Sequence, residues 1–182
     1  MRYNEVTPYS NMQDFLDRPV DRYYVSIAIG LYYTGARIGE LIKLKQRDVE
    51  LSKDDDSFLE VRIQTEKNKH SPYRFVPINY CEEPFARDVF LKGLEPEELL
   101  FPKYNPVIKD SSFMRVIRRK FNSFWSVAPH YFRHCRLTHC ITEFDFNDQE
   151  LVKYAGWSDS KPAKWYVSLK TTDLQKKMKG RF

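Results

Sequence analysis

The spacing of apolar residues along this chain changes from that of a helix to that of a strand and back, which limits the folds open to it. Residues 20–33 have helical spacing and are long enough to favour a helix over a buried strand. The apolar positions on one face of this segment are Val20, Tyr24, Ile27 and Leu31. Residues 48–78 have the period of two that is typical of strands. Helical spacing then returns, so we predict a mainly α fold with one small sheet.

The strand-like segment predicts a three-stranded antiparallel meander. An acidic turn at residues 54–56 and a loop containing Pro72 divide the segment into three runs. The alternating apolar residues of these runs are Val49 and Leu51, then Leu59, Val61 and Ile63, then Tyr73 and Phe75.

Three further helices are predicted after the sheet. The first carries one apolar stripe, Pro129 opens the second, and Leu151 and Val152 mark the third. The stripe consists of Phe113, Val116 or Ile117, Phe121 and Phe124. The chain has 182 residues, of which 42% are hydrophobic. It can therefore bury one sizeable core, and we expect a single domain over residues 1–182.

The charge of the chain permits an anionic partner without specifying one. Lys and Arg outnumber Asp and Glu by 30 to 25, giving a net charge of +5 and a pI near 9.0. Basic residues cluster at 115–120 and 175–181, which favours a positive face for a nucleic acid. Three of them lie opposite the apolar stripe, where they either hold DNA phosphates or form a solvated surface: Arg115, Arg118 and Arg119.

The cysteine content indicates a reducing compartment. Cys81, Cys135 and Cys140 are an odd number without the spacing of a disulfide framework. The sequence shows neither a charged-then-apolar leader nor an apolar run long enough to span a membrane. We therefore expect an intracellular protein.

Two polar motifs suggest chemistry on a phosphodiester. TGARIGEL at residues 34–41 places Arg37 and Glu40 opposite the apolar positions of a helix, where we expect them to face outward, although such a pair is usually an ordinary surface ion pair. APHYFRHCRLTH at residues 128–139 contains His130 and Arg133. Guanidinium groups suit a phosphodiester because they offer a planar fork of donors and stay charged.

The second motif also imitates a zinc site, because three histidines and two cysteines lie close together in sequence: His130, His134, Cys135, His139 and Cys140. His130 and His134 share one helical face, whereas Cys135 and His139 share another. Each residue of offset turns a helix by about 100°, so one ion could not collect all of these ligands. We therefore expect no metal site. We expect His134 to support the residues of an active site without contacting the substrate.

Because these motifs occur in a particular order, the chain resembles the tyrosine recombinase (phage integrase) family over roughly residues 7–170. The family's catalytic domain carries R-x-x-E, a hairpin lysine, H-x-x-R, a His or Trp after Gly, and then the nucleophilic Tyr. The matching positions here are Arg37 with Glu40, His130 with Arg133, Trp157 after Gly156, and Tyr166 nine residues further on. The resemblance implies the tyrosine recombinase catalytic-domain fold.

The lysine of the pattern has two candidates, since the loop TEKNKHSPYR contains both Lys67 and Lys69. Lys67 fits better when it is counted from the preceding strand, which leaves Lys69 as a DNA contact. The chain departs from the family at positions that affect packing more than chemistry: Arg136, Leu137, Asp145 and Ala155. Asp145 stands where Gly is common, and Asp tolerates a left-handed backbone better than most residues.

The resemblance assigns a role to each matching residue. Arg37 and Arg133 would clamp the phosphate, and His130 and Trp157 would donate further hydrogen bonds to it. Tyr166 would attack phosphorus to form a 3′-phosphotyrosyl enzyme without a metal or other cofactor.

Two more residues are expected to assist. Lys67 would protonate the departing 5′ oxygen. Glu40 would orient an arginine or a neighbouring helix without touching the anion.

The function implied is that of a site-specific DNA recombinase or integrase that assembles as a homo-oligomer on duplex DNA, in the cytoplasm and associated with the nucleoid. Two alternatives stay open: a type IB topoisomerase or telomere resolvase, and a catalytically idle DNA-binding fragment. The N-terminal core-binding domain of the family is expected to be absent. The basic tail at residues 168–182 is expected to be exchanged between subunits.

Overall fold

The computed structural model describes residues 6–66, 71–103, 105 and 107–166. Single 3₁₀ turns lie at Tyr9–Asn11 and Gln46–Asp48, and residues 161–166 are helical. The helices are α1 Met12–Leu16, α2 Arg22–Thr34, α3 Ile38–Leu41, α4 Pro84–Phe90, α5 Asp110–Trp125, α6 His130–Thr142 and α7 Asp148–Ala155. The strands are β1 Val49–Leu51, β2 Phe58–Gln64 and β3 Tyr73–Asn79. Within the described ranges, no helix is both long and apolar enough to cross a membrane.

The predicted meander is confirmed, with strand order β1-β2-β3 and antiparallel pairing throughout. Val61 is the centre of the register, facing Val49 on one side and Val76 on the other. The buried face of the sheet consists of Leu59, Val61 and Ile63 on β2 and Val76 and Ile78 on β3. The sheet therefore covers the helical core with one face only.

Three of the expected apolar positions, one on β1 and two on β3, are on the solvent side, whereas Val49 of β1 is buried. Leu51 is 54% exposed, Tyr73 47% and Phe75 59%. The inward position between the last two is Arg74, which is only 5% exposed. The alternating pattern predicted the position of β3 correctly. Its buried face nevertheless begins with Arg74, because backbone carbonyls and the Glu40 carboxylate satisfy the charge of that arginine.

Helix α2 is the centre of the core. The Asp21 side chain caps it by accepting a hydrogen bond from the Tyr23 N–H at 2.9 Å. The helix ends at Gly35, whose φ of 56° is the left-handed conformation that favours glycine. Tyr24, Ile27 and Leu31 of the predicted face are buried, and α2 packs against α4 and α6.

The predicted stripe on α5 is largely confirmed. Phe113, Ile117 and Phe121 are fully buried, whereas Phe124 is only partly buried. Of the two candidates between Phe113 and Phe121, Ile117 is thus the buried residue and Val116 is not. The basic residues of this helix are exposed: Arg115, Arg118 and Arg119.

The chain between α6 and α7 turns at Asp145, whose φ is 60°. This agrees with the expected tolerance of Asp for a left-handed backbone. The Asn147 side chain caps α7 by accepting from the Glu150 N–H at 3.0 Å. Gly156 ends α7 with φ of 67°, and this turn leads directly to Trp157.

Arg136, one of the departures from the family pattern, lies on the buried side of α6. It pairs with Glu83 at 3.4 Å, and its Nε donates to the Tyr154 hydroxyl at 3.1 Å. Its guanidinium also lies over the rings of Tyr32, at 5.4 Å, and Phe144, at 4.9 Å. These partners explain how a charge replaces an apolar side chain here.

Candidate active site

Arg37 immediately precedes α3, and Glu40 follows one turn later. Both oxygens of the Glu40 carboxylate face Arg37: Oε2 accepts from the Arg37 N–H at 2.9 Å, and Oε1 accepts from Nη1 at 2.8 Å. The expectation that the pair faces outward is wrong for Glu40, which is 2% exposed. Its carboxylate faces the buried Arg74 of β3 and not solvent.

Glu40 remains charged in spite of its burial. Burial alone would raise the pKa of its carboxyl. The Arg74 guanidinium, the hydrogen bonds from Arg37 and the nearby Arg133 outweigh that effect and hold the pKa below its ordinary value. The Arg74 Nη2 lies 3.4 Å from Glu40 Oε2.

Arg74 is the residue of this region that the sequence analysis missed. Its Nη1 donates to the carbonyl of Thr34 at 3.1 Å and to that of Tyr154 at 2.5 Å, so it joins the C-terminal ends of α2 and α7. Among the described residues, Arg74 Nε has no hydrogen-bond partner. The alternation of β3 carried no signal for it, because Tyr73 and Phe75, on either side of Arg74, are the more apolar residues.

Arg133 is equally buried, at 2% exposure. Its Nη1 donates to the Gly35 carbonyl and its Nη2 to the Ala155 carbonyl, the latter at 3.0 Å. Burial, with the positive charges of Arg74 and Arg37, lowers the pKa of Arg133 to about 9. The guanidinium is therefore still charged at neutral pH. Within the described residues, these two bonds leave three of its five N–H donors for other acceptors.

The predicted residues converge on one cavity of about 480 Å³. Its walls come from the start of α3, the first turn of α6, the turn after α7 and the helical segment at 161–166. The lining residues are Arg37, His130, Arg133, His134, Trp157, Pro162, Trp165 and Tyr166.

Tyr166 lies in this cavity between two rings. Its ring is 5.8 Å from that of Trp157 and 5.7 Å from that of His134, at 28° to each. Its hydroxyl hydrogen bonds to His134 Nδ1. His134, expected to act from behind the site, thus contacts the oxygen of the expected nucleophile directly.

His130 and His134 are one helical turn apart on α6, and their rings meet edge to face at 4.6 Å. Burial, together with the charges of Arg133 and Arg37, lowers the pKa of His130. Burial, His130 and Arg133 lower the pKa of His134 to about 4. His134 is therefore neutral at pH 7 and can accept a hydrogen bond at one ring nitrogen.

Both candidates for the lysine, Lys67 and Lys69, lie outside the described residues, as does the tail at 168–182. The part of the chain that the structure describes holds no group of three His, Cys, Asp or Glu side chains arranged for a metal ion. Of the expected site, the cavity thus brings together Arg37, His130, Arg133, Trp157 and Tyr166.

The electrostatics of this cluster favour an anion. Three guanidinium groups lie close enough to interact electrostatically: Arg37, Arg74 and Arg133. The Glu40 carboxylate lies among them. Three guanidinium groups against one carboxylate leave an excess of positive charge beside the cavity. A bound anion would relieve this repulsion, and the free N–H donors could orient it.

Solved structures of similar fold define the class to which this architecture belongs. The XerH site-specific recombinase bound to palindromic difH substrate, in a post-cleavage complex, aligns with a TM-score of 0.65 at 17% identity, over 95% of this chain and 52% of that one. XerA recombinase aligns with a TM-score of 0.64 at 22% identity, over 97% and 64%. The Tn1549 transposon integrase in complex with a circular intermediate DNA aligns with a TM-score of 0.61 at 17% identity, over 89% and 60%.

These likenesses show the tyrosine recombinase catalytic-domain fold, as predicted. The model of the phage integrase family matches residues 9–172, and the chain belongs to this family. It spans between half and two thirds of the length of the three recombinases. No curated protein sequence gives a significant match.

Proposed function

We propose that the chain is the catalytic part of a site-specific DNA recombinase or integrase that breaks and rejoins DNA through a 3′-phosphotyrosyl intermediate. The observation that carries this proposal is the presence of Arg37, Arg133 and Tyr166 in one cavity. Family membership supports it. Two fixed cations beside a buried phenol are the components that an attack on a phosphodiester needs.

The arrangement supports a specific sequence of steps. Arg37 and Arg133 donate to the non-bridging oxygens, whose charge grows as the five-coordinate state forms. His130 and the Trp157 indole N–H supply further donors. The Tyr166 oxygen attacks phosphorus, and the 5′ oxygen departs with a proton that Lys67 supplies. The energy of the ester is kept in the protein link, so a second 5′ hydroxyl can reverse the reaction without ATP.

Duplex DNA is the proposed partner, and a homo-oligomer on that DNA is the proposed working assembly. The XerH and Tn1549 proteins, whose structures align with this chain, are bound to DNA. Lys69 and the exposed basic residues of α5 are proposed contacts to phosphates. The single-domain organisation and the exchange of the tail between subunits are proposed from the resemblance to the family alone.

The family match favours strand exchange over the related reaction of a type IB topoisomerase. The two differ in product, since a topoisomerase relaxes supercoils without recombining partners. Relaxation of a supercoiled plasmid without recombinant product would favour the topoisomerase.

The decisive experiment is incubation of the protein with a nicked suicide duplex that carries its recombination site, followed by a denaturing gel. We expect a covalent protein–DNA adduct with the wild type and none with Tyr166→Phe, because the phenyl ring lacks the attacking oxygen. Arg37→Ala should reduce the adduct by about a hundredfold or more, the usual cost of one preorganised donor.

Tyr73→Phe is the matched control, because it removes the same hydroxyl from an exposed tyrosine. It should form the adduct at the wild-type rate. An adduct formed by Tyr166→Phe would refute the assignment of the nucleophile. Binding of duplex without any adduct in the wild type would identify an idle DNA-binding fragment.

A further inference from the structure

We propose that His134 is the base that accepts the proton of the Tyr166 hydroxyl during attack, through its ring nitrogen Nδ1. This inference rests on the proposed function and deepens it. The phenol of Tyr166 must lose its proton as its oxygen attacks phosphorus, and the geometry points to the histidine that follows Arg133 as the acceptor.

The contact itself is the first argument. The Tyr166 hydroxyl is hydrogen bonded to His134 Nδ1, and the two rings are nearly parallel at 28° with centroids 5.7 Å apart. A candidate base must lie within hydrogen-bond reach of the proton that it removes, and His134 satisfies this before DNA binds. Because His134 touches a reacting atom, it would be a catalytic residue and not a support.

The position of His134 on α6 fixes that contact. It follows Arg133, which the Gly35 and Ala155 carbonyls hold in place, and it lies one turn after His130. Trp165 packs against its other side with ring centroids 6.1 Å apart. The imidazole is therefore held by neighbours on several sides, and its orientation toward the phenol is fixed by packing.

The protonation state is the second argument. An imidazole can accept at Nδ1 only when that nitrogen carries no proton, and burial with the charges of His130 and Arg133 keeps His134 neutral at pH 7. In the tautomer of the neutral ring that carries its proton on Nε2, the phenol donates to Nδ1. The same positive charges that hold the phosphate thus keep the base free.

The charge of the substrate would complete the step. A phosphodiester beside Arg133 would offset one of the positive charges that disfavour imidazolium, which favours transfer of the proton to His134. As the Tyr166 Oη–P bond forms, the Oη–H bond breaks and an Nδ1–H bond forms. The P–O5′ bond breaks at the same centre, with its electron pair and a proton from the acid going to O5′. In the reverse reaction, His134 returns its proton to Tyr166.

His134→Gln provides the test, because the amide oxygen of Gln can accept the phenol's hydrogen bond but cannot carry its proton away. Its single-turnover cleavage should be compared on two suicide duplexes, one natural and one with sulfur replacing the bridging 5′ oxygen. Sulfur departs without protonation, so it relieves the need for an acid but not for a base. We expect His134→Gln to lose about a hundredfold in rate on both duplexes.

Lys67→Ala is the matched control, since the loss of an acid should be rescued by sulfur. Rescue of His134→Gln by sulfur would instead place His134 at the leaving group and overturn the proposal. A wild-type rate for His134→Gln would overturn it as well. If the wild-type protein forms no adduct with either duplex, the proposed function itself fails.

A measurement without DNA keeps the inference testable if His134→Gln unfolds. Nitrogen-15 NMR of histidine-labelled protein distinguishes protonated from unprotonated ring nitrogens. We expect an unprotonated, hydrogen-bonded Nδ1 signal for His134 at pH 7 that shifts in Tyr166→Phe. A protonated Nδ1 at neutral pH would overturn the proposal, because such a ring cannot take the proton of the phenol at that atom.

Discussion

Glu40 and Arg74 form an ion pair from which water is excluded, with side chains 0% and 3% exposed. Such a pair contributes little net stability, because both groups lose hydration when they are buried. Removing one partner is far more costly, since it leaves the other charge buried without compensation. The pair connects α3 to β3 and therefore holds Arg37 at the edge of the cavity.

We expect Glu40→Gln to lower the free energy of unfolding by about 3–5 kcal/mol, because Arg74 would lose its buried carboxylate partner. The pKa of Glu40 is lowered in the folded state. Its stabilising contribution is thus full above the ordinary pKa of about 4.3 and is lost as pH falls through the lower folded value. Urea unfolding at pH 7 and below pH 4 measures both effects.

Glu97→Gln is the control, because Glu97 pairs with Lys45 and Arg47 on the surface and is 62% exposed. It should leave stability almost unchanged. Equal effects of the two substitutions, or a Glu40→Gln protein that keeps the full pH dependence of the wild type, would contradict this account.

At the level of single residues, the order of R-x-x-E, H-x-x-R and Tyr was sufficient to bring Arg37, Arg133 and Tyr166 together. It was not sufficient to find Arg74, because nothing in an alternating strand pattern distinguishes a satisfied buried arginine from a solvated one. The contact between His134 and Tyr166 was also beyond it, since the pattern places residues in one site without fixing which side chains touch.

Gly156 ends α7 at a point where the chain passes close to β3. A Cβ built there would lie 2.6 Å from Arg74 Cδ and 2.9 Å from Thr65 Cγ2, and its φ is +67°. Gly93 has a similar φ of +65°, but a Cβ there would meet nothing within 4 Å. The two glycines therefore separate backbone strain from steric overlap.

We expect Gly93→Ala to cost about 1–2 kcal/mol of stability, from the left-handed backbone alone. Gly156→Ala should cost about 1–3 kcal/mol more, because it also displaces Arg74 from a packed site. Thermal unfolding of the two variants measures the difference. Equal costs would mean that the turn after α7 can shift without disturbing Arg74.

The elements themselves were predictable where the pattern was long. Helix α2, the stripe on α5 and the three strands all fall where the apolar spacing places them. The face of α3 was not predictable, because a helix of four residues is too short for its own periodicity to decide what it buries. The inward side of β3 was missed for a related reason, since its exposed Tyr73 and Phe75 are more apolar than its buried Arg74.

For the whole molecule, the exposed arginines of α5 are expected to determine how binding to DNA responds to salt. Each phosphate contact that is lost should reduce the slope of log K against log salt by about 0.9. We expect Arg118→Ala to weaken duplex binding and to reduce that slope by about one contact. Fluorescence anisotropy over a range of salt concentrations measures it.

Arg87→Ala, which removes an exposed arginine from α4, is the matched control and should leave the slope unchanged. An identical slope for Arg118→Ala and the wild type would identify the basic side of α5 as a solvated surface. The affinity of either variant should be independent of Tyr166, because binding precedes attack.

Arg133 joins the carbonyl that follows α2 to the carbonyl that ends α7. The guanidinium proposed to bind the phosphate thus also connects two helix ends. A substitution of Arg133 would remove both interactions at once. A descendant of this chain that had lost all chemistry on DNA would still need that arginine to fold. In such descendants Tyr166 and Arg37, and not Arg133, would be the first positions to drift.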